Sequence, residues 1–273
     1  MAIIGISGKI GSGKDTVGKL VQLLICKSKG TKADLTDVTD HTGTHDWWLE
    51  DNSGWEIKKF AGKLKQVASI LTGIPIEKFE DQEFKKTFLP EVWNNSDMEP
   101  EDWCVENHWE KWKVFILENK NATLKLKDII EFARTCGWED RMTVRDFLQR
   151  LGTEGLRDGL HPNTWVNALM ADYKPGPFFP EVPAEDHAKL PNWIITDTRF
   201  ENEAQAIKDR WGILIRVENK NITSTQSHPS ETALDDWEFD YVIDNSGSIE
   251  ELSDKVYEML RHFDIIPAPA AND

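Results

Sequence analysis

Five short apolar runs punctuate the chain, each bounded by polar or glycine-rich segments. AIIGI (2–6), WEIKKF (55–60), NWIITD (192–197), ILIRV (213–217) and DYVID (240–244) have the length and composition of strands. Between them apolar residues recur at helical spacing. Val17, Leu20, Val21 and Leu24 follow the first run, and AGKLKQVASILTG (61–73), ended by Gly73, follows the second. The third run leads into a helix reaching about Trp211, and an amphipathic helix over roughly 248–262 closes the pattern. Thr143, with Asp146 three residues on, opens a further helix in the manner of a capping box, with Val144, Phe147, Leu148 and Leu151 facing inward.

Strands that alternate with helices predict an α/β fold in three layers, a mostly parallel sheet covered by helices on both faces. The pattern reads as a single domain over 1–263 with a frayed tail at 264–273. Three segments interrupt it: a polar stretch at 29–54 expected as a loop, a tryptophan-rich helical insertion or lid at 74–127, and a proline-rich loop at 174–191.

Composition narrows the function. The 273 residues are 39% hydrophobic, enough for a core, and carry a net charge of −16. Such a chain repels a polyanion, which argues against a nucleic-acid partner and leaves small phosphate ligands gripped by locally concentrated cations. The three cysteines, Cys26, Cys104 and Cys136, are widely spaced and odd in number, which fits a reducing compartment rather than a disulfide or zinc framework. Gly5, Gly8 and Lys9 break the apolar start too soon for a signal peptide, and no run approaches the ~20 apolar residues of a membrane span. The expected location is the cytoplasm, with no membrane partner. Exposed tryptophans would point to a homodimer, and buried ones would not.

GKIGSGK (8–14), between a strand and a helix, has the spacing of a phosphate-binding loop. Gly8, Gly11 and Gly13 let the backbone turn so that successive amides point inward, Lys14 reaches the outer phosphates, and the new helix adds its positive end. Asp15 occupies the slot where a hydroxyl usually reaches Mg²⁺, and Thr16 follows one place late. The carboxylate either helps hold Mg²⁺ through water or points away, with Thr16 supplying the hydroxyl. This departure suits a small-molecule or nucleotide kinase better than a motor or a switch GTPase.

The first 133 residues contain no arginine, and five of the nine fall in 134–157: Arg134, Arg141, Arg145, Arg150 and Arg157. Planar guanidinium groups so clustered suit phosphate. On a helix Arg145, Gln149 and Gly152 share one face, suited to a monophosphate and a base edge, and Arg150 and Arg157 form a second stripe. The alternative is a solvated helix with ion pairs to Asp146, Glu154 and Asp158. Asp197 closes the third strand on the edge where open α/β sheets bind ligands. It could hold hydrated Mg²⁺, accept from substrate, or cap the following helix. Arg199 and Glu203 could pair or face the site, His228 and Glu231 suit a lid or structural role, and Asn245 and Gly247 could line an adenine pocket.

Taken in order, SGKIGSGKDT, FAGKLK (60–65), TVRDFLQRLGTEGLRD (143–158) with Trp165, TDTRFENEA, HPSE and VIDNSGSIEEL resemble the deoxynucleoside monophosphate kinases of tailed bacteriophages. GKDT is that family's own form of the loop. The resemblance implies a P-loop nucleotide-kinase fold that moves the γ-phosphoryl of ATP to a deoxynucleoside monophosphate with Mg²⁺, supplying phage DNA precursors; the sequence leaves the base open, and the insertions could shape a pocket for 5-modified pyrimidines. It implies that Gly11, Ser12, Gly13, Lys14, Asp15 and Thr16 hold ATP, with Asn245 and Gly247 near its adenine. Lys63, Lys65, Arg145, Gln149, Gly152, Thr153, Trp165, Asp197, Arg199 and Glu203 would surround the acceptor. Lys14, Asp15, Arg145, Arg150 and Asp197 would carry the transfer, with Asp15 and Thr16 at the metal. Two rivals stay open: another kinase of the superfold, such as dephospho-CoA kinase, and a P-loop regulator that binds nucleotide without transferring phosphate.

Overall fold

The computed structural model describes residues 3–39, 46–93, 100–120, 125–136, 142–174, 190–222 and 232–267. The chain runs β1 (Ile3–Ser7), α1 (Lys14–Ser28), α2 (Thr36–Thr39), α3 (Asp46–Ser53), β2 (Trp55–Lys58) and α4 (Phe60–Thr72). Three short 3₁₀ turns follow, then α5 (Pro100–Asn107), α6 (Trp109–Glu118), α7 (Leu126–Thr135) and α8 (Val144–Gln149), which continues as a π-helix over Arg150–Asp158. The rest is α9 (Thr164–Met170), β3 (Asn192–Ile195), α10 (Glu201–Lys208), β4 (Ile213–Glu218), β5 (Tyr241–Asp244) and α11 (Ile249–His262). All five apolar runs are strands. Two compact units result, one formed by 1–63 with 161–273 and one by 64–160.

The first unit is the α/β layer structure expected. Its strands lie in the order β2-β3-β1-β4-β5, all parallel. Register sets the faces, because side chains alternate along a strand. Ile4 pairs with Ile194 on one side and Ile213 on the other. These residues, with Ile6, Ile215 and Val217, pack against Val17, Leu20 and Leu24 of α1 and Leu252, Val256 and Met259 of α11. The opposite parity, Ile3, Trp193, Ile195 and Leu214, packs against Val166 and Leu169 of α9 and Ala204 and Ile207 of α10. Burial on both faces explains why these runs are continuous rather than alternating. Leu214→Ala is expected to cost about 2–5 kcal/mol, read as a lower denaturant midpoint, since a fully buried leucine leaves a cavity.

The stretch 29–54, expected as a loop, contains α2 and α3. Val38 and Leu49 supply the reason: each is buried against the α1 face of the sheet, so a polar composition still yields two anchored turns.

The second unit has two small cores. Ala68, Phe79, Leu89, Val144, Phe147 and Leu148 form one, with Trp93 edge-on to Phe147 at 5.2 Å. Cys104, Trp112 and Ala133 form the other, where Phe115 stacks on Phe132 at 4.2 Å. Within the tryptophan-rich insertion α5 and α6 are helices, and Trp112 is part of this core. Thr143 Oγ1 accepts from the Asp146 amide at 3.1 Å and the Thr143 amide donates back to the Asp146 carboxylate, so the capping box is present. Beyond Gln149 the sequence reading needs correction. Hydrogen bonding there skips to i→i+5, so a turn holds more residues than 3.6, and Arg150 and Arg157, seven apart, no longer form one stripe.

Candidate active site

The loop after β1 turns tightly, with the Ser12 amide donating to the Lys9 carbonyl at 3.1 Å. Two of its glycines are required by geometry. Gly8 lies so close to the Val217 carbonyl that a Cβ would sit 2.4 Å from it. Gly13, immediately before α1, has φ 95°, and a Cβ there would lie 2.3 Å from Asn245 Nδ2. The Lys14 side chain folds over the loop, its ammonium donating to the Gly8 carbonyl and, at 2.8 Å, to that of Lys9. Ser12 Oγ is buried and has no hydrogen-bond partner among the described residues.

Asn245, placed by the sequence near an adenine, buttresses this loop: its side-chain amide donates to the Ser12 carbonyl at 2.8 Å. Its own segment is tied down in turn. The Asp244 carboxylate accepts from the Ser246 hydroxyl and amide and pairs with Lys220 at 2.9 Å, and these partners hold its pKa down to about 2. A Cβ on Gly247 would push aside the carboxylate end of the Glu251 side chain, and Ser248 caps α11. Gly13→Ala is therefore expected to force Asn245 off Ser12 and adopt a left-handed turn at about 1–2 kcal/mol. ADP affinity by calorimetry should fall about tenfold, the loss of one or two such interactions.

Asp15 faces β3 and the start of α4. Its Oδ1 accepts from the Thr196 hydroxyl at 2.6 Å and pairs with Lys59 Nζ at 3.0 Å. Burial acts to raise its pKa, but Lys59, the Thr196 hydrogen bond and Lys14 outweigh it and hold the carboxyl below its ordinary 3.8. The carboxylate therefore stays ionised across the neutral range, and on the acid side the pair is lost as the carboxylate protonates. Lys59 lies one residue before FAGKLK, outside the stretch whose lysines the sequence places at the acceptor.

Asp197 caps a helix, but not the one that follows it. Oδ1 accepts from the Phe60 amide at 2.8 Å and Oδ2 from the Ala61 amide at 2.9 Å, which fixes the first turn of α4 from the end of β3. Burial pushes its pKa up against the pull of these amides, Lys59 and Arg199. The helix after β3 takes its cap from Glu203, whose buried carboxylate accepts from the amides of Arg199 and Phe200.

The lysines expected at the acceptor are engaged elsewhere. Lys63 pairs with Asp172 at 2.5 Å, and Lys65 with Glu80 at 2.5 Å. Trp165 is buried on α9. In the second unit Arg145 is exposed, donating to Gln82 at 3.2 Å, and Gln149, Arg150 and Thr153 are exposed as well. Gly152 is buried where a Cβ would meet Leu64 at 2.9 Å, which is a packing role. Arg141, His228 and Glu231 lie outside the described residues. Thr16, in the first turn of α1, is half-buried.

A family model described as deoxynucleotide monophosphate kinase matches residues 2–256. The deoxynucleotide monophosphate kinases of Enterobacteria phage T4 and Escherichia phage RB69 are 28% and 29% identical over 123 and 124 residues, 45% of this chain in each case. A protein of Acanthamoeba polyphaga mimivirus, provisionally described as the same kinase, is 34% identical over 122 residues, 42% of this chain. The matched segments cover 47%, 46% and 59% of those three proteins, so the chain spans about half the length of the curated relatives it matches.

Proposed function

Since the chain belongs to the deoxynucleotide monophosphate kinase family, we propose that it transfers the γ-phosphoryl group of ATP to a deoxynucleoside monophosphate, giving a diphosphate. The observation that carries this reading is the loop 8–14 with Lys14 folded over it, at the end of β1 where the chain's course reverses between β3 and β4. Phosphoryl transfer asks for alignment and charge neutralisation, and this loop supplies amides, an ammonium and a helix N-terminus to the donor phosphates. Arg145, with Gln149 and Thr153, is assigned to the acceptor phosphate and base, and Arg150 or Arg157 to the transferring group. Asp197 serves by fixing the start of α4, and Asn245 by holding the loop.

Among the described residues no cluster of three His, Cys, Asp or Glu could hold a metal. That donor set fits a Mg²⁺ bound mainly by phosphate oxygens and water, as this ion prefers, with the hydroxyl of Thr16 as the protein group. Asp15 spends Oδ1 on Thr196 and Lys59. When bound, the ion would neutralise charge on the donor phosphates.

Among the described residues no helix is long and apolar enough to cross a membrane. We place the enzyme in the cytoplasm, that of the host if it is phage-encoded, supplying DNA precursors. Trp47, Trp109 and Trp211 are exposed but on separate elements, as monomers also show, and give no argument for a homodimer. The test is ADP release with ATP and a panel of natural and 5-substituted deoxynucleoside monophosphates. Acceptor-dependent release is expected; release only with dephospho-CoA, or none with any acceptor, overturns the reading.

A further inference from the structure

Lys59 is held at both ends. Its backbone lies between the Lys58 carbonyl, which accepts from the Thr196 amide at 3.2 Å, and the Phe60 and Ala61 amides clamped by Asp197. Its ammonium meets Asp15 Oδ1 at 3.0 Å, and Asp15 is itself held by Thr196. A lysine normally keeps its stem mobile, and immobilising one costs up to about 2 kcal/mol of rotamer entropy. Here two consecutive residues of β3's end, Thr196 and Asp197, position the tip and the base of the same lysine. The Asp15 side chain remains 64% exposed and that of Lys59 30% exposed, so the pair is at the surface rather than a core ion pair.

We propose that Lys59 is a further catalytic residue of this kinase, donating to phosphate oxygens, and that Asp15 is the positioning residue that holds its ammonium beside the phosphate loop rather than a metal ligand. The inference rests on the kinase reading above. Lys14 and Lys59 both act on Asp15, and Lys59 and Arg199 act on Asp197, so three cationic groups face two carboxylates here in a chain of net −16. Oδ1 already accepts a hydroxyl and an ammonium, and a divalent cation brought to it would be repelled by the ammonium 3.0 Å away. A phosphate oxygen is attracted by the same group. In the transfer the bond from the γ-phosphorus to the β,γ-bridging oxygen breaks, its electron pair leaving with ADP, as a bond forms to an acceptor phosphate oxygen. Lys59 donates hydrogen bonds to the moving group and gives up no proton.

The test is a double-mutant cycle on the full chain with Lys59→Met, Asp15→Asn and the pair, plus Lys59→Arg. Turnover, the Mg²⁺ concentration for half-maximal rate, and ATP binding in EDTA are measured, with thermal unfolding as a check on folding. Lys59→Met should lower kcat about ten- to hundredfold and weaken metal-free ATP binding about tenfold, the range for a hydrogen bond to a charged group. Lys59→Arg should recover part of both. Asp15→Asn should leave the Mg²⁺ requirement unchanged, and the double variant should be no worse than Lys59→Met alone. Normal turnover and metal-free ATP binding in Lys59→Met would overturn the role of Lys59. Multiplying losses with a raised Mg²⁺ requirement would return Asp15 to the metal. If the wild type phosphorylates no deoxynucleotide but Lys59→Met still weakens metal-free ATP binding, the kinase reading fails while the phosphate contact stands.

Discussion

Lys14→Ala should lower turnover roughly 10²- to 10³-fold, the loss typical of removing one preorganised charge from a developing anion. The ammonium is the group that leans across the loop from the first turn of α1, anchored on the Gly8 and Lys9 carbonyls. Its removal takes away both that tie and the cation that would neutralise the donor phosphates. The side chain is not in either core, so thermal unfolding should shift little. Steady-state ADP release, with metal-free ATP binding alongside, reads the effect. A variant that keeps near-normal turnover would remove Lys14 from the mechanism.

Arg145→Ala should reduce kcat/KM for the deoxynucleoside monophosphate about 10²- to 10³-fold while leaving ATP binding within a few-fold of wild type, because a guanidinium held in place grips phosphate through two parallel hydrogen bonds. The residue is exposed on α8, where among the described residues its side chain donates to Gln82, so its loss should cost little stability. Lys in its place should recover less than half of the loss on a logarithmic scale, since an ammonium cannot reproduce the fork. Equal losses toward ATP and acceptor, or no loss toward either, would assign the acceptor phosphate to another residue. The exposed Arg150 is the next to examine.

What could be read from the sequence is what local chemistry dictates. Five apolar runs became five parallel strands, the central three buried on both faces, and the loop at 8–14 was visible from the spacing of its glycines and lysine between a strand and a helix. Contacts between distant residues were not visible. Asp197 grips amides 137 and 136 residues away, which no spacing rule reports, and Lys59 meets Asp15 only because β2 and β1 flank β3. Gly152 looked like part of an acceptor face and is a packing contact to Leu64. The π-helix was hidden because a periodicity of 3.6 was assumed over Arg150–Asp158. The division of the chain at Leu64, inside α4, was hidden for the same reason as the long contacts: the helix pattern runs through it unbroken.

Transfer of labelled γ-phosphoryl from ATP, with products separated by chromatography, tests the account most directly. With a deoxynucleoside monophosphate present, the label should move into a deoxynucleoside diphosphate, and without an acceptor little should appear as inorganic phosphate. Label found only in inorganic phosphate, or in the product of a non-nucleotide acceptor such as dephospho-CoA, would contradict it.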